Sequence, residues 1–548
     1  MANVKGEALP EGSQRILGRD AMRVNMAIGY AVANILKTTL GPKGMDKMLV
    51  SDLGDVVITN DGATILEEMN VDHPAAKLMV EIAKTQDKEV GDGTTTSVVI
   101  AGNLLKKAAD LIDQSIHPTT VIKGYELASQ KAISLLNELS EKVTLEDKDV
   151  LIKIAKISMG SKGIGSDKEK ESISKLVVSA VEQVADKKNG KILVDHDLIK
   201  IEKKSGGEVV DTQLIQGVLV DKEIVNAGMP KSLKDAKIAL IDSALEIEKT
   251  ETDAKIEITS PEQMEAFLRQ EEKMMREMVE KIKKSGATVV FCQKGIDDVV
   301  QYHLAKEKVS AIRRVKKSDM EKLARATGAK IVSTIEGLTS AELGNAGLVE
   351  ERKIAGESMV FVENCKDPKS VTLFVRGGTE HVVSEVERAV VDCIGAVSSV
   401  LEDGKYVVGG GAIEMELGKK LGEYATEIGG REQLAIQAFA ESLEAIPRSL
   451  SENAGMDSID TLVALKNKHK DKDGVNYGVN VLKGNVADMK KENVLEPAKV
   501  KKQAITSATE TARLILRIDD IISSRGRSGG MPGGPGGMGG PGGMDMGE

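Results

Sequence analysis

Residues 91–97 are the segment of this chain with the clearest potential for chemistry, because two glycines flank an aspartate and four hydroxyl residues follow. A helix predicted from the apolar residues Val98, Leu104 and Leu111 continues directly from this turn. The free N–H groups and positive dipole end of a helix N-terminus bind anions. Asp92 offers the oxygen ligand that Mg²⁺ prefers. The segment therefore indicates a phosphate and magnesium site; an ordinary capped helix is the alternative, since Asp and Thr are also favoured there.

Three other turns are rich in glycine or aspartate and could serve the same ligand. They cover residues 39–44, 60–64 and 409–412. One nucleotide needs phosphate, metal, base and ribose contacts, and separated loops of one domain can supply them together. Each turn alone is explained equally well as a helix stop or a corner, because Gly, Pro and Asn favour turns. The chain contains no Walker A sequence, G-x-x-x-x-G-K-[ST], so a phosphate site here is of another type.

The elements that must position these turns are predicted from apolar periodicity. In the first part of the chain, the expected elements are helices over residues 19–40, 63–69 and 104–139, the last interrupted at His117 and Pro118, and a β-hairpin of residues 47–50 and 56–59. The hairpin is expected because two short β-type runs flank a turn of Asp and Gly. These elements would place the first three turns in one mainly helical unit.

The middle of the chain has a different texture, in which charged helices alternate with apolar strands. The elements expected there are helices over residues 168–184, 297–305 and 320–327 and strands over residues 192–194, 236–241 and 288–292. Beyond Gly404 the sequence is again rich in helix signals, with residues 435–445 the clearest amphipathic case. Because the two ends resemble each other, we predict a discontinuous domain built from both termini with a central insertion.

A Met-rich amphipathic helix is predicted to begin at Pro261, since proline is favoured in the first turn of a helix. Met264, Phe267 and Leu268 recur at nearly helical spacing among many Glu and Lys residues. The first half of this helix is therefore expected to be exposed and to contact a partner. For the second half, residues 274–282, packing in a core is the favoured interpretation.

The composition of the 548 residues excludes several classes of protein. A net charge of −10 argues against a protein that coats nucleic acid, because such proteins need a basic surface. Residues 1–15 are charged, and no run approaches the roughly 20 apolar residues that span a membrane. Neither a signal peptide nor a membrane segment is expected, and a cytoplasmic protein is predicted.

Three cysteines and the C-terminal segment complete the composition. Cys292, Cys365 and Cys393 lack metal-ligand spacing and are expected to be reduced thiols. Residues 529–548 are nearly all Gly, Met and Pro, apart from a short acidic end. Such a segment cannot bury a core, and we expect it to be disordered.

Taken together and in order, the turns and their flanking residues resemble the group II chaperonins, the thermosome type of archaea. The matching segments are residues 40–49, 60–66, 91–96, 387–392, 409–412 and 493–497, followed by the Gly and Met tail. The resemblance covers essentially the whole chain. One departure is Ile157, where the family usually has threonine, in the loop that precedes Lys162.

The resemblance implies a multidomain fold. A mainly α equatorial domain would hold ATP, a small α+β intermediate domain would act as a hinge, and an α/β apical domain would carry a helical protrusion as a built-in lid. The implied bounds are 1–148 and 403–528 for the equatorial domain, 149–217 and 367–402 for the intermediate domain, 218–366 for the apical domain, about 245–275 for the lid, and 529–548 for the disordered tail.

The resemblance also implies roles for individual residues. Asp92 would bind Mg²⁺, Asp61 would help to place metal and water, and Asp392 would orient or activate the attacking water. Without the family, a place on the solvent-facing stripe of its helix is the favoured interpretation of Asp392, although its apolar neighbours Val390, Val391 and Ile394 allow a buried carboxylate with a function. The residues implied to contact the nucleotide are Thr39, Leu40, Gly41, Pro42, Gly93, Thr94, Thr95, Thr96, Lys162, Gly410, Asn480 and Glu496.

The function implied by the resemblance is that of an ATP-dependent chaperonin with Mg²⁺ as cofactor. Two stacked rings of eight or nine subunits would enclose non-native polypeptides, and the built-in lid would make a separate cap protein unnecessary. Neither nucleic acid nor a membrane is an expected partner. The alternative is a holdase or scaffold of the same architecture that binds clients without hydrolysis. The presence of all three carboxylates, Asp61, Asp92 and Asp392, argues against it.

Overall fold

The computed structural model describes residues 14–51, 54, 56–188, 190–247, 260–366 and 368–523. The α-helices in these ranges are α1 (Gly18–Lys37), α2 (Gly62–Glu68), α3 (Pro74–Val90), α4 (Thr94–Asp113), α5 (Pro118–Leu139), α6 (Lys148–Ser158), α7 (Asp167–Val184), α8 (Pro261–Ser285), α9 (Asp298–Lys306), α10 (Lys317–Thr327), α11 (Glu380–Asp403), α12 (Ala412–Ile428), α13 (Glu432–Leu443), α14 (Ala445–Asn453), α15 (Ser458–Lys468) and α16 (Ala498–Leu516).

The strands are short and form several sheets. They are β1 (Gln14–Leu17), β2 (Lys47–Val50), β3 (Val56–Thr59), β4 (Glu141–Lys142), β5 (Asp186–Lys188), β6 (Lys191–Leu193), β7 (Ile199–Ser205), β8 (Gln213–Ile215), β9 (Val218–Val220), β10 (Ser232–Ile241), β11 (Val289–Cys292), β12 (Ser310–Ile312), β13 (Ile331–Val332), β14 (Gly344–Ile354), β15 (Glu357–Glu363), β16 (Val371–Gly377), β17 (Lys405–Val408), β18 (Tyr477–Asn480), β19 (Asn485–Asp488), β20 (Leu495–Pro497) and β21 (Asp520–Ser523).

The largest sheet has seven strands in the order β12-β11-β10-β14-β15-β9, with β13 also paired to β10. β10, β11, β12 and β13 run parallel, whereas β14, β15 and β9 pair antiparallel, so the sheet is mixed. Helices α8, α9 and α10 connect its parallel strands, as expected for parallel pairs, which need a crossover. A three-stranded sheet, β7-β16-β8, and the sheet β20-β17-β4 lie outside it.

Three large hydrophobic cores organise the described residues. The first combines residues 26–136 with residues 407–516, and helices from both ends of the chain build it. The second draws on residues 218–365 around the seven-stranded sheet. The third combines residues 143–199, residues 371–406 and Leu495. The chain is thus multidomain and about half helical with mixed sheets, in agreement with the expected fold class at that level.

Most of the expected elements are confirmed, and the hairpin of β2 and β3 matches residue for residue. The helix expected over residues 435–445 is confirmed as α13 up to Leu443, but the helix breaks at Glu444 and α14 begins at Ala445. Pro447 explains the break: it has no N–H to donate to the carbonyl of Leu443. α3, which no expected element covered, occupies the space between two of the site turns.

Helix α8 has the two halves that its sequence predicts. Met264, Phe267 and Leu268 are exposed, whereas Val279 and Ile282 are buried against the second core. The expected polar part of the protrusion before Ser260 and the expected disordered tail lie outside the described residues. The three cysteines are free and buried, as expected. Among the described helices, none is long and apolar enough to cross a membrane.

The packing of α1 on α4 depends on two glycines. A Cβ atom at Gly102 would lie 2.2 Å from the Cβ of Ala33, and one at Gly29 would lie 2.4 Å from Cδ1 of Leu105. Both distances are far below van der Waals contact, so the helices approach along a surface where any side chain would clash. α4 also carries the threonines of the candidate phosphate turn, and this packing fixes its position in the first core.

Replacing Gly102 by Ala should therefore lower the midpoint of thermal unfolding, measured by circular dichroism. Alanine in place of glycine inside a helix normally favours folding by up to about 1 kcal/mol. Here the added methyl group would overlap Ala33, and overpacking of this kind costs about 1–3 kcal/mol. Gly422→Ala in α12 is the matched control, since its nearest neighbour would be Gln437 Oε1 at 3.5 Å. Equal midpoints for the two variants would contradict the close α1–α4 contact.

Candidate functional site

The turn between α3 and α4 is shaped by two glycines with positive φ, Gly91 at 66° and Gly93 at 78°. Gly93 is the N-cap of α4 and has no side chain to cap it, so the helix presents its first N–H groups without a side-chain partner at that position. The Asp92 carboxylate lies beside them, and its Oδ1 accepts a hydrogen bond from the backbone N–H of Gly93 at 2.6 Å. This is the geometry of an anion site with an adjacent oxygen ligand.

Gln86, a buried residue of α3, holds this turn against α16. Its Nε2 donates to the carbonyl oxygen of Asp92 at 2.9 Å and to that of Val500 at 3.2 Å. A Cβ atom at Gly93 would lie 2.7 Å from Cγ1 of Val500, so only glycine fits there. The turn is therefore fixed from behind, by a glutamine that the sequence analysis did not single out.

Helix α11 reaches the same turn from the third core. A Cβ atom at Gly91 would lie 2.8 Å from Cα of Gly395, and one at Gly395 would lie 2.7 Å from Cα of Gly91. One turn further along α11, the hydroxyl of Ser399 donates to the carbonyl oxygen of Val90 at 3.3 Å. Asp392 lies one turn before Gly395, so this backbone contact delivers its carboxylate to the turn that carries Asp92.

Lys162 joins the catalytic candidates directly. Its Nζ lies 3.3 Å from Oδ1 of Asp61 and 3.1 Å from Oδ2 of Asp392. Only 3% of the Lys162 side chain is exposed, and 12% of each carboxylate side chain. Asp392 is thus buried, and its interpretation as part of a solvent-facing stripe is wrong.

The loop of Asp61 also contacts the threonines of α4. Asp61 caps α2, since its Oδ2 accepts from the N–H and the hydroxyl of Thr64, both at 2.8 Å. A Cβ atom at Gly62 would lie 2.7 Å from Oγ1 of Thr95 and 3.0 Å from Oγ1 of Thr94. The structure therefore brings three of the sequence-predicted segments, around Asp61, Asp92 and Asp392, to one place.

Burial and the donors that oppose it separate the acid strengths of these carboxyl groups. Burial raises the pKa of Asp392 well above its usual range, and Asp61 and Asp92 add to this, while Lys162 partly offsets it. Burial also acts on Asp61, but Lys162 and the Thr64 donors outweigh it and leave its pKa lowered. Burial lowers and the carboxylates of Asp392 and Asp61 raise the pKa of Lys162, which ends above its ordinary value. Groups with pKa values pushed apart in this way are candidates for acid and base roles.

Asp92 is intermediate between these two carboxyl groups. Burial raises its pKa from the ordinary 3.8 to about 6; the Gly93 N–H opposes this shift, and the charge of Glu496 adds to it. Glu496 is one of the implied ribose or base contacts. Its electrostatic effect on Asp92 indicates that this second set of residues lies close to the phosphate turn.

The second set surrounds the turn at residues 409–411. The carbonyl oxygen of Gly410 accepts from the N–H of Val479 at 2.8 Å, next to Asn480 in β18. A Cβ atom at Gly409 would lie 2.1 Å from Oε1 of Glu496, so this carboxylate rests directly on the glycine backbone. Asn480 is buried, and its carboxamide oxygen accepts from the N–H of Lys483 at 3.0 Å.

Helix α14 connects this turn to the one that contains Thr39, Leu40, Gly41 and Pro42. Asn453 donates to the carbonyl oxygen of Leu40 at 2.9 Å. A Cβ atom at Gly41 would lie 2.4 Å from Cδ2 of Leu450, and one at Gly411 would lie 2.8 Å from Cβ of Pro447. The Thr39 hydroxyl is buried and donates to the carbonyl oxygen of Leu36 at 2.8 Å. Both turns therefore rest on one short helix.

These residues fit a nucleotide with its metal better than a metal alone. In the part of the chain that the structure describes, no group of three or more His, Cys, Asp and Glu side chains could hold a metal ion. Mg²⁺ is usually held by one or two carboxylates together with substrate phosphates. Asp92, beside the open N-terminus of α4, supplies a carboxylate and a place for phosphate oxygens.

Several residues of the site were missed by the sequence analysis. Gln86 could have been noticed in the sequence. It falls on the apolar stripe of α3 with Met79, Ala83 and Val90, where a buried polar side chain needs a hydrogen-bond partner. Gly395 had none, because its contact with Gly91 joins residues that are far apart in the chain.

The model of the TCP-1/cpn60 chaperonin family matches residues 32–526 of the chain. The chain belongs to this family. It is 61% identical over 96% of its length to a thermosome subunit of Pyrococcus horikoshii, 95% of which is covered. It is 59% identical to thermosome subunit beta of Thermococcus kodakarensis, with 96% of each chain covered, and 56% identical to a thermosome subunit of Methanocaldococcus jannaschii, with 97% and 98% covered. The chaperonin is therefore of group II, as its motifs predicted.

The raised pKa of Asp92 predicts a pH effect on the nucleotide-free chaperonin. Folded Asp92 holds its proton up to a pH of about 6, whereas the unfolded chain releases it near 3.8. Between pH 3.8 and about 6, the folded state thus binds more protons than the unfolded state does. The stability that protonated Asp92 contributes is therefore lost as the pH rises through 6. The unfolding free energy of Asp92→Asn minus that of wild type should therefore rise by up to about 3 kcal/mol between pH 4 and pH 7.

Denaturant unfolding at several pH values, with EDTA present, measures this difference. Asp46→Asn is the control, because Asp46 is exposed and its exchange should leave the curve parallel to that of wild type. If the plots of unfolding free energy against pH for wild type and Asp92→Asn run parallel, Asp92 ionises like a surface carboxylate.

Proposed function

We propose that this group II chaperonin hydrolyses ATP with Mg²⁺ in the cytoplasm and uses the cycle to enclose non-native polypeptides. The observation that carries the proposal is the pairing of Asp61 and Asp392 with the ammonium of Lys162, near enough to Asp92 for their charges to act on it. Burying three carboxyl groups with one cation costs stability, so such a cluster is expected only where function requires it. A non-hydrolysing holdase has no need of such a cluster, so hydrolysis is the favoured reading.

The three hydrophobic cores support a division into three domains. We assign the first core to an equatorial domain of residues 1–148 and 403–528, the third to an intermediate domain of residues 149–217 and 367–402, and the second to an apical domain of residues 218–366. In this division α11 belongs to the intermediate domain, and the turn of Asp92 belongs to the equatorial domain. The proposed site then spans two domains, so a hinge motion between them would control its completion.

Asp92 is proposed as the metal ligand, and Gly93, Thr94, Thr95 and Thr96 as the phosphate contacts at the start of α4. Mg²⁺ held there would neutralise charge on the phosphate oxygens and so favour attack of water on the terminal phosphorus, with the diphosphate as leaving group. The remaining proposed contacts are Thr39, Leu40, Gly41 and Pro42, around the phosphates and base, and Gly410, Asn480 and Glu496, around base and ribose. The turns at residues 39–42 and 409–411 rest on α14, and the Glu496 carboxylate lies on Gly409.

Asp392 is proposed to accept the proton of the attacking water. In its ionised form it is a stronger base than an ordinary carboxylate, because burial raises its pKa. Lys162 blocks this role while it pairs with Asp392. We propose that Lys162 turns to the terminal phosphate oxygens of the substrate, which frees Asp392, while Asp61 keeps its charge and orients metal and water.

The apical part is proposed to bind clients and to close the chamber. The first half of α8 exposes Met264, Phe267 and Leu268, an apolar face that suits contact with other chains. We assign this half to a protrusion of about residues 245–275 that acts as a built-in lid, so that no separate cap protein is needed. The subunits would assemble into two stacked rings of eight or nine.

Asp392→Ala should reduce ATP turnover by about 100-fold or more while ATP affinity changes little, because the residue acts on water. Turnover is measured by phosphate release and affinity by calorimetry. Val391→Ala is the matched control: Val391 is the exposed neighbour on α11, and this variant should keep wild-type turnover. Wild-type turnover in Asp392→Ala would remove Asp392 from the mechanism.

ATP alone, without a cap protein, should protect α8 from protease near Phe267. Protection is expected because closure would bury the exposed face of its first half. Limited proteolysis followed by mass spectrometry locates the cut, and Asp392→Ala serves as a variant that binds ATP but does not turn it over. Equal cleavage with and without ATP would refute the lid.

A further inference from the structure

Lys501 is a buried lysine of α16 to which the proposed mechanism gives no role. Its Nζ lies 2.8 Å from Oε1 of Glu414 and also pairs with Oε2 of Glu496. Only 7% of its side chain is exposed, so Lys501 is shielded from any ligand in the site. A charge buried so completely is stable only with partners of opposite charge, so its role is to be sought in those partners.

The two carboxylates that share this ammonium differ in exposure. Only 2% of the Glu414 side chain is exposed, whereas 25% of the Glu496 side chain is. Two carboxylates and one ammonium leave one net negative charge. Because Glu414 is sealed inside, the more exposed Glu496 is the carboxylate that can present this charge to a ligand.

Helix geometry shows which of these groups is fixed. Glu414 lies in the first turn of α12, where the helix dipole stabilises an anion. Lys501 lies in the first turn of α16, where the dipole disfavours a cation, so its place depends on the two carboxylates. Burial lowers the pKa of Lys501, and Glu414 and Glu496 more than offset this and raise it. The ammonium is therefore charged and held.

Glu496 is oriented by these contacts. Its Oε2 pairs with Lys501, and its Oε1 rests on the backbone of Gly409, where a Cβ atom would lie 2.1 Å away. Val500, the neighbour of Lys501, accepts the Gln86 hydrogen bond that also holds Asp92. One helical segment thus fixes both the phosphate turn and the Glu496 carboxylate.

We propose that Lys501 and Glu414 are positioning residues that hold the Glu496 carboxylate as an acceptor for the ribose hydroxyl groups of the nucleotide. The pair thereby sets the preference of the site for ribonucleotides. This inference rests on the proposed nucleotide site and on the proposed contact of Glu496 with base or ribose. It adds two buried residues that act through Glu496 and touch no ligand.

The test compares the dissociation constants of ATP and 2′,3′-dideoxy-ATP, measured by calorimetry with Mg²⁺ on the full chain. Wild type should bind ATP about tenfold or more tightly, because hydrogen bonds to a charged acceptor are strong. Glu496→Gln should lower this ratio. The double variant Glu414→Gln and Lys501→Met removes the two most buried charges together, leaves the more exposed Glu496 without its ammonium partner, and should lower the ratio as far. Glu414→Gln alone keeps Lys501 paired with Glu496 but removes its second carboxylate partner, and should lower the ratio less; an unchanged ratio would remove Glu414 from the positioning role.

Each outcome decides one point. A wild-type ratio near one, or a ratio unchanged in Glu496→Gln, would overturn the ribose contact itself while ATP binding remains. A ratio lowered in Glu496→Gln but unchanged in the double variant would overturn the positioning role. A general loss of stability weakens the binding of both nucleotides alike and leaves the ratio of their dissociation constants unchanged. Melting curves of each variant identify such a loss.

Discussion

The structure of this chaperonin depends on one interaction, the ammonium of Lys162 shared by Asp61 and Asp392 beside Asp92. Charges buried at this depth are tolerated only in fixed geometry with partners in reach. The partners come from the loop before α2, from α11 and from the turn between α3 and α4. The first and third cores must therefore meet with little freedom, and glycines at positions 91 and 395 allow that approach.

Buried lysines repeat this arrangement elsewhere in the described chain. Lys501 pairs with Glu414 and Glu496, and Lys200 pairs with Glu202 and Asp319. Lys200 links a strand next to the third core with a helix of the second. Each lysine is thus outnumbered by carboxylates, and each joins segments that are far apart in the chain.

Much of the fold could be predicted from the sequence where signals are local. The hairpin of β2 and β3 and helix α7 follow from short runs of residues, and Pro261 marks the start of α8. The break between α13 and α14 was missed because Pro447, which explains it, lies beyond the residues of the expected helix. Order along the chain identified the family and hence the site candidates. Gly395 and Lys501 could not be found in that way, since their partners Gly91 and Glu414 are distant in sequence and only packing reveals the contacts, whereas Gln86 stands out as a polar residue on the apolar stripe of α3.

The contact of Gly91 with Gly395 has a mechanical consequence. Neither residue has a side chain, so α11 passes over the turn where a single Cβ atom would lie 2.7–2.8 Å from the opposite Cα. Sliding would bring the two backbones into collision. In the proposed hinge motion this contact would therefore serve as a pivot, about which the carboxylate of Asp392, one helical turn away, would move through a small arc while the turn that holds Asp92 stays still.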